Sequence, residues 1–267
     1  MTIAMTSIAE PAMIERVTVD PQRVEESALN ALQTQRQLFY DGWLLRLSPG
    51  SAKRGRSVNP HFGSSLPIDA KIDRCEAIYA AQKLPTLFRI TPFCKPHALD
   101  ALLDRRGYAA FDKTLVQITR VVSSSVRRVD GVELAIASVA EFVAAVGALR
   151  QSTSVQCAAH YERLSNIPLD MHAVIARTGG EIVGCGQLMI DDGLAAIYDM
   201  VTATGFRGRG LATSIVATLM NHAARMGAAH AFLQVNADNA PARAVYAKFG
   251  FATLYAYHYR ARPSECF

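Results

Sequence analysis

Residues 200 to 213 read Met200-Val201-Thr202-Ala203-Thr204-Gly205-Phe206-Arg207-Gly208-Arg209-Gly210-Leu211-Ala212-Thr213, a strand-like segment that enters an apolar-striped helix through a glycine-bearing turn. Without a Cβ, Gly208 and Gly210 can adopt backbone conformations closed to other residues and leave their N–H groups open to a ligand. The helix is expected to begin near Leu211. Its first amides have no intrahelical acceptor, so they add donors and a positive dipole end. Arg207 and Arg209 bring formal charge to the same place, and Ala212 is small enough for a bulky ligand to lie against the helix start. Together these residues suit the binding of a phosphate or diphosphate.

Two phosphate-binding patterns do not fit. A dinucleotide fingerprint needs a third small residue where Thr213 stands, glycines close behind the strand, and an acidic residue about 20 positions on. The first Asp or Glu after the turn is Asp238. A Walker loop needs Gly-Lys-Ser or Gly-Lys-Thr, and neither occurs.

The segment Arg207-x-x-Gly210-x-Ala212 is followed by Leu233-Gln234-Val235-Asn236-x-x-Asn239-x-x-Ala242-x-x-x-Tyr246-x-x-x-Gly250-Phe251. In this order and spacing the two blocks resemble the GNAT superfamily of acetyl-CoA-dependent N-acyltransferases. The resemblance runs from Asp130 to the C-terminus, and more faintly through the first half. It implies acetyl-CoA as co-substrate, no metal, and an amine of a small metabolite, amino acid or peptide as acceptor.

By the same resemblance, Arg207 to Thr213 (Arg207, Gly208, Arg209, Gly210, Leu211, Ala212, Thr213) hold the pyrophosphate. The backbone of Met200, Val201 and Thr202 meets the pantetheine and the thioester carbonyl, and Asn236, Asn239, Ala242 and Tyr246 line the cofactor. Capping of the next helix would also account for Asn239. Tyr246 is placed to protonate the departing thiolate, and general acid help of this kind is commonly worth about 10²–10⁴ in rate. The base stays open. Asp199 adjoins the thioester position and is expected on the same strand face as Ile197 and Val201. His160 and Glu162 lie where the family builds its acceptor wall, and His258 sits on the closing strand. A non-catalytic acetyl-CoA-binding or interaction protein is the competing reading; the complete loop and Tyr246 favour an enzyme.

The elements that must hold these residues can be read from periodicity. Val132 to Ala137 is expected as a strand, Val139 to Arg150 and Cys157 to Leu164 as helices, and Ala173 to Arg177, Glu181 to Ile190 and Leu194 to Val201 as three antiparallel strands joined at glycine turns. Leu211, Ile215, Leu219 and Ala223 recur every four residues, one buried helical stripe ending near Met226-Gly227. A strand at Ala231 to Val235, a helix at Ala240 to Lys248 with Pro241 in its first turn, and a strand at Ala252 to Arg260 complete the half.

The first half repeats the end of the second. Phe88-Arg89-Ile90-Thr91 parallels Phe232-Leu233-Gln234-Val235, and Arg105-Arg106-Gly107-Tyr108-Ala109 parallels Lys248-Phe249-Gly250-Phe251-Ala252. Gly42 to Leu47 and Arg56 to Asn59 are expected as strands and Ile68 to Gln82 as a helix, so the chain resembles a tandem GNAT protein. Leu103 stands where the second half has Tyr246, and the helix after Ser64-Ser65 carries Asp69 in its first turn, where a carboxylate repels phosphate. The first half is therefore expected to bind no acetyl-CoA.

The fold class is α/β (α+β): two GNAT-like domains, each a mixed, mostly antiparallel twisted sheet flanked by helices. Residues 1–22 are expected as a loosely ordered extension, 23–122 as the degenerate domain, 123–131 as a serine-rich linker and 132–267 as the catalytic domain.

A length of 267 residues, half of them hydrophobic, can fill two ordinary cores. The net charge of +5 is scattered as pairs such as Arg105-Arg106 rather than gathered in a run, so no nucleic-acid partner is expected. Five cysteines without Cys-x-x-Cys spacing indicate neither a disulfide framework nor a zinc site. The N-terminal stretch lacks a signal-peptide pattern and no apolar run approaches a membrane span, so a cytoplasmic monomer or homodimer is expected.

Overall fold

The computed structural model describes residues 19–50, 52–125 and 129–266. The first half contains α1 (Pro21–Asn30), β1 (Gln37–Tyr40), β2 (Trp43–Arg46), β3 (Val58–Asn59), α2 (Ile68–Ala81), β4 (Phe88–Ile90), α3 (Leu99–Arg105) and β5 (Ala109–Arg120). The second contains β6 (Glu133–Ala137), α4 (Val139–Arg150), α5 (Ser154–Ser165), β7 (Asp170–Thr178), β8 (Glu181–Asp191), β9 (Leu194–Thr202), α6 (Leu211–Arg225), β10 (His230–Asn236), α7 (Ala240–Ala247) and β11 (Ala252–Ala261). The helix α1 begins at Pro21, inside the stretch expected to be loose, because Asp20 caps it by accepting from the Gln22 amide (3.0 Å) and Pro21 occupies its first turn. Residues 1–18 and the linker residues 126–128 lie outside the described residues.

All eleven strands form one sheet in the order β1-β2-β3-β4-β11-β5-β10-β9-β8-β7-β6. The sheet crosses the covalent boundary between the halves through an exchange of strands. In the second half β9 runs parallel to β10, and β10 pairs antiparallel with β5, which belongs to the first half. In the first half β3 runs parallel to β4, and β4 pairs antiparallel with β11, which belongs to the second. The exchanged strands pair with each other, Ala252 opposite Ile118 and Ala261 opposite Ala109. The repeated basic-x-Gly-aromatic-Ala segments thus mark the starts of two strands that swap places about a pseudo-twofold.

Two cores cover the faces of the second half. On one face α6 sets Leu211, Ile215, Leu219 and Ala223 against Val174, Leu188, Ile197 and Leu233. The helix lies close to the sheet because β8 carries glycines beneath it: a Cβ at Gly184 would meet Ile215 and Leu211 within 3.0–3.2 Å. On the other face Phe142 and Val146 of α4 join Val24 and Ala28 of α1 and Tyr255, Tyr257 and Tyr259 of β11. A third core around Trp43, Ile72, Tyr79, Phe88 and Leu103 belongs to the first half, where Leu103 is fully buried. Its burial explains why an apolar residue stands at the position matching Tyr246. Among the described residues no helix is long and apolar enough to cross a membrane, and all five cysteines are unpaired.

Candidate active site

The strands β9 and β10 pair only as far as Ile197 and Leu233; beyond that point they diverge, while β9 continues to pair with β8 through Thr202. A wedge therefore opens in the sheet beside residues 198–202 and 234–236. At its edge β9 bulges: Cys185 opposes Val201 and Gln187 opposes Tyr198, so Asp199 and Met200 together face Gly186. The Met200 thioether fills the space where a Cβ of Gly186 would lie, and Asp199 adopts φ 50°. Glycine at 186 is what lets the bulge form.

The bulge corrects one expectation. Ile197 packs with Met200 on the α6 face, whereas Val201 packs with Tyr198 on the α4 face, so Ile197, Asp199 and Val201 do not share a side. Asp199 instead points to the end of α4 and to α5. Its Oδ1 accepts from Arg150 Nη1 at 2.9 Å, its Oδ2 accepts from Gln187 Nε2 at 2.6 Å, and His160 Nε2 lies 3.5 Å from Oδ2. Burial alone would raise its pKa, but His160 and the Arg150 guanidinium outweigh that and hold the carboxyl well below the usual carboxylate range. A carboxylate so stabilised in its charged form and bonded through both oxygens is a weak proton acceptor near neutrality. Its geometry suits orientation better than base catalysis.

A pH series separates the two roles. Because the wild-type carboxyl is ionised throughout pH 5–9, the acidic limb of kcat/KM is expected at the same position in Asp199→Asn as in the wild type. Disappearance of that limb in the variant would make Asp199 the base.

Ahead of α6, a single helical turn over Thr204–Phe206 leads into Gly208 and Gly210, which have φ of 75° and 88°. The helices α1, α4, α5 and α7 each start on a side-chain cap; α2, α3 and α6 do not, and α6 starts on Gly210 in the left-handed conformation. Among the described residues the amides of 208–213 donate to no protein carbonyl; the first bonded one is Ser214, to Gly210 O at 3.0 Å. A Cβ at either glycine would meet nothing within 4 Å. Arg207 and Arg209 are exposed beside the turn, Arg209 over the Phe206 ring at 5.2 Å. These are the features of an anion site: free donors, a helix dipole and open approach.

On the far side of the wedge, Asn239 caps α7 by accepting from the Ala242 amide (3.2 Å), as the capping alternative required. Asn236 is engaged at both ends: its Nδ2 donates to Asp112 of β5 (2.8 Å) and its Oδ1 accepts from the Asp238 amide (2.8 Å). It ties the exchanged strand to the wedge. Tyr246 is half-buried against the α6 face in the cluster that also holds Met200, Phe206 and Ala242, with its ring edge-on to Phe251. Burial raises its pKa, so the phenol keeps its proton. Of the other base candidates, Glu162 accepts from Gln35 (2.6 Å), and His258 lies 3.0 Å from Asp100, toward α3. Neither meets Asp199. Only His160 does.

Residues 147–251, which take in the bulge, the turn and α7, match the profile of the Acetyltransferase (GNAT) family. Over that segment the second half of the chain carries the pattern of the GNAT acetyltransferases. The match supports an acyltransferase. Over 253 residues it is 25% identical to the uncharacterized N-acetyltransferase YobR of Bacillus subtilis (strain 168), covering 91% of this chain and 99% of the relative. A segment of 81 residues is 38% identical to mycothiol acetyltransferase of Streptomyces bingchenggensis (strain BCW-1), which spans 30% of this chain and 26% of that protein.

Among solved structures, a GCN5-related N-acetyltransferase from Kribbella flavida superposes with a TM-score of 0.69 at 16% identity, covering 91% of this chain and 95% of the other. A tandem GNAT protein from the clavulanic acid biosynthesis pathway superposes with a TM-score of 0.60 at 16% identity, covering 82% and 76%. These likenesses concern the fold, and they extend through the first half of the chain as well as the second. Among the described residues no group of three or more His, Cys, Asp or Glu is placed to hold a metal ion.

Proposed function

We propose that the protein moves an acetyl group from acetyl-CoA to the primary amine of a small metabolite, amino acid or peptide by direct attack. The observation that carries this reading is the wedge between β9 and β10 placed directly ahead of a helix start whose amides at 208–213 are unengaged. The donors and open approach of the turn fit a diphosphate, and acetyl-CoA supplies an acyl group already activated as a thioester.

Each residue then has a task. The amides of Gly208 to Thr213, with Arg207 and Arg209, hold the diphosphate. The backbone of Met200, Val201 and Thr202 faces the pantetheine and polarises the acyl oxygen, and preorganised donors of this kind are commonly the largest catalytic contribution. Ala242 and the amide nitrogen of Asn239 border the thioester arm. Tyr246 gives its phenolic proton to the sulfur as the carbon–sulfur bond breaks and the carbon–nitrogen bond forms. The amine enters as a base after losing a proton to water, which costs about 4 kcal/mol at neutrality for an ordinary alkylammonium. Asp199, charged and fixed by Arg150, His160 and Gln187, orients the incoming amine; as an anion it favours the ammonium form, so the proton must leave to water before attack.

Calorimetric titration with acetyl-CoA followed by thiol release with an amine library tests the proposal. Tight binding and turnover are expected. Tyr246→Phe should bind acetyl-CoA normally and lose tenfold or more in kcat; an unchanged rate would remove it as the acid. Binding without turnover of any amine would identify a carrier or interaction protein instead.

A further inference from the structure

Where α5, the β9 bulge and the first half's turn at Lys53–Gly55 come together, guanidinium groups outnumber carboxylates. Arg46, Arg54, Arg89, Arg150 and Arg163 lie within electrostatic reach of one another through Tyr198, Glu25 and Asp199. The two carboxylates are already engaged, Glu25 by Arg89 and Asp199 by Arg150. Arg46 is satisfied by the neutral carbonyls of Leu29 (2.8 Å) and Leu32 (2.7 Å).

Arg54 and Arg163 have no such partner. Among the described residues neither makes a hydrogen bond or ion pair, and Arg54 Nη1 is buried with its guanidinium 5.0 Å over the Tyr198 ring. Burial pushes the Arg163 pKa down, and Arg54 and Arg150 push it further against the pull of Asp199. The Tyr198 hydroxyl is likewise buried and unpartnered, and burial pushes its pKa up to about 12, which keeps it a hydrogen donor. Three donors, two guanidinium groups and a hydroxyl, therefore gather around Tyr198 without an acceptor. Buried donors and charges are costly unless paired, and paired guanidinium forks match carboxylates in shape.

We infer that the acceptor is an amino acid or short peptide whose free carboxylate is taken by Arg54 and Arg163, with the Tyr198 hydroxyl as a third donor. This rests on the acetyl-transfer reading above and names the acceptor within it. The first half then has a direct part in specificity: its Lys53–Gly55 turn brings Arg54 across to the bulge of the second half. Lys53 is itself held there, 3.0 Å from Asp112, the residue that also ties down Asn236.

The test compares each amino acid with its own amide, which keeps the amine and removes the carboxylate, as acceptors for the full-length protein with acetyl-CoA. The acid is expected to have a kcat/KM at least tenfold higher than the amide. Arg54→Gln and Arg163→Gln should each raise KM for the acid at least tenfold with kcat within a few-fold, erasing the preference, while Arg54→Lys keeps part of it. A merely structural role would shift acid and amide together. Turnover that treats acid and amide alike, or a preference that survives in both Gln variants, overturns this inference and leaves acetyl transfer standing. A folded protein that binds acetyl-CoA yet releases thiol with no amine of either kind defeats the transfer reading and this inference with it.

Discussion

Glu25→Ala should destabilise the protein by about 3–5 kcal/mol, the usual cost of removing one partner from a buried ion pair. Glu25 and Arg89 are each only 1% exposed. The Arg89 guanidinium donates to both Glu25 oxygens, the Tyr255 hydroxyl donates to Oε2 at 2.6 Å, and the guanidinium lies 3.8 Å over the Tyr257 ring. Glu25 comes from α1, Arg89 from β4, and Tyr255 and Tyr257 from the exchanged strand β11. The pair therefore fastens the place where one half borrows a strand from the other. Without the carboxylate, Arg89 would remain charged in a dry site with Arg46 nearby, and His61, whose imidazole burial pushes toward the neutral form despite the pull of Glu25, carries no negative charge to replace it.

The measurement is the urea midpoint of the variant, with a double variant as control. Glu25→Leu combined with Arg89→Met removes both charges and should recover much of the loss, since a well-packed apolar replacement of a buried pair is often close to neutral. A single-variant loss below about 1 kcal/mol would show that water reaches the pair and that it does not bind the halves together.

The pH dependence follows from the direction of the shift. Burial would raise the Glu25 pKa, but Arg89 outweighs it and the net shift is downward. A depressed carboxylate contributes stability that is complete above its unfolded pKa of about 4.3 and is lost as pH falls through the lower folded value. The gap between wild type and Glu25→Gln should therefore be constant from pH 7 to 5 and close only below about pH 4.

Which parts of this fold could be read from the residues, and which could not, follows the range of the forces involved. The stripe of Leu211, Ile215, Leu219 and Ala223 is a local periodicity, and the helix it marks buries all four. The glycine turns at Gly179-Gly180 and Gly193 join strands that pair as expected. The strand β1 leaves no mark in the sequence because its residues Gln37 to Tyr40 show no buried alternation; Phe39 is 68% exposed.

The exchange of β5 and β11 is a pairing between residues more than 130 positions apart, such as Ile118 with Ala252, and no local pattern encodes it. The repeat of the two glycine-aromatic-alanine segments was visible, but its meaning as reciprocal strand donation was not. The bulge at Asp199 had a signal, Gly184-Cys185-Gly186 on the neighbouring strand, where small residues leave room for Met200. A regular β9 would set Asp199 on the opposite face, away from Arg150, whose position at the end of α4 is set by a capping box at Ser138 twelve residues earlier. Arg54 and Arg163 could not be found at all from spacing, since they meet only through the packing of the two halves.

Gly210→Asp should weaken acetyl-CoA binding at least thirtyfold at low ionic strength while leaving stability within about 1 kcal/mol of the wild type. The two effects have opposite physical signs at this position. Gly210 has φ 88°, where a side chain costs about 1–2 kcal/mol, though aspartate is among the residues that tolerate the left-handed region. The new Cβ meets nothing within 4 Å, and a carboxylate at the start of α6 interacts favourably with the helix dipole by about 0.3–1 kcal/mol, which offsets much of the strain. The bound diphosphate would meet that carboxylate as a like charge in the same cradle. At an effective dielectric near 20, two unit charges some 5 Å apart repel by about 3 kcal/mol. Salt should relieve part of the loss, because the turn is exposed and the Debye length shrinks from about 10 Å at 0.1 M to about 3 Å at 1 M, below the separation of the two charges. Gly210→Ala supplies the strain without the charge and is expected to bind within a few-fold of the wild type. If the alanine variant were as weak as the aspartate variant, backbone geometry rather than charge would govern the cradle; if both bound normally, the amides at 208–213 would not be where the diphosphate rests.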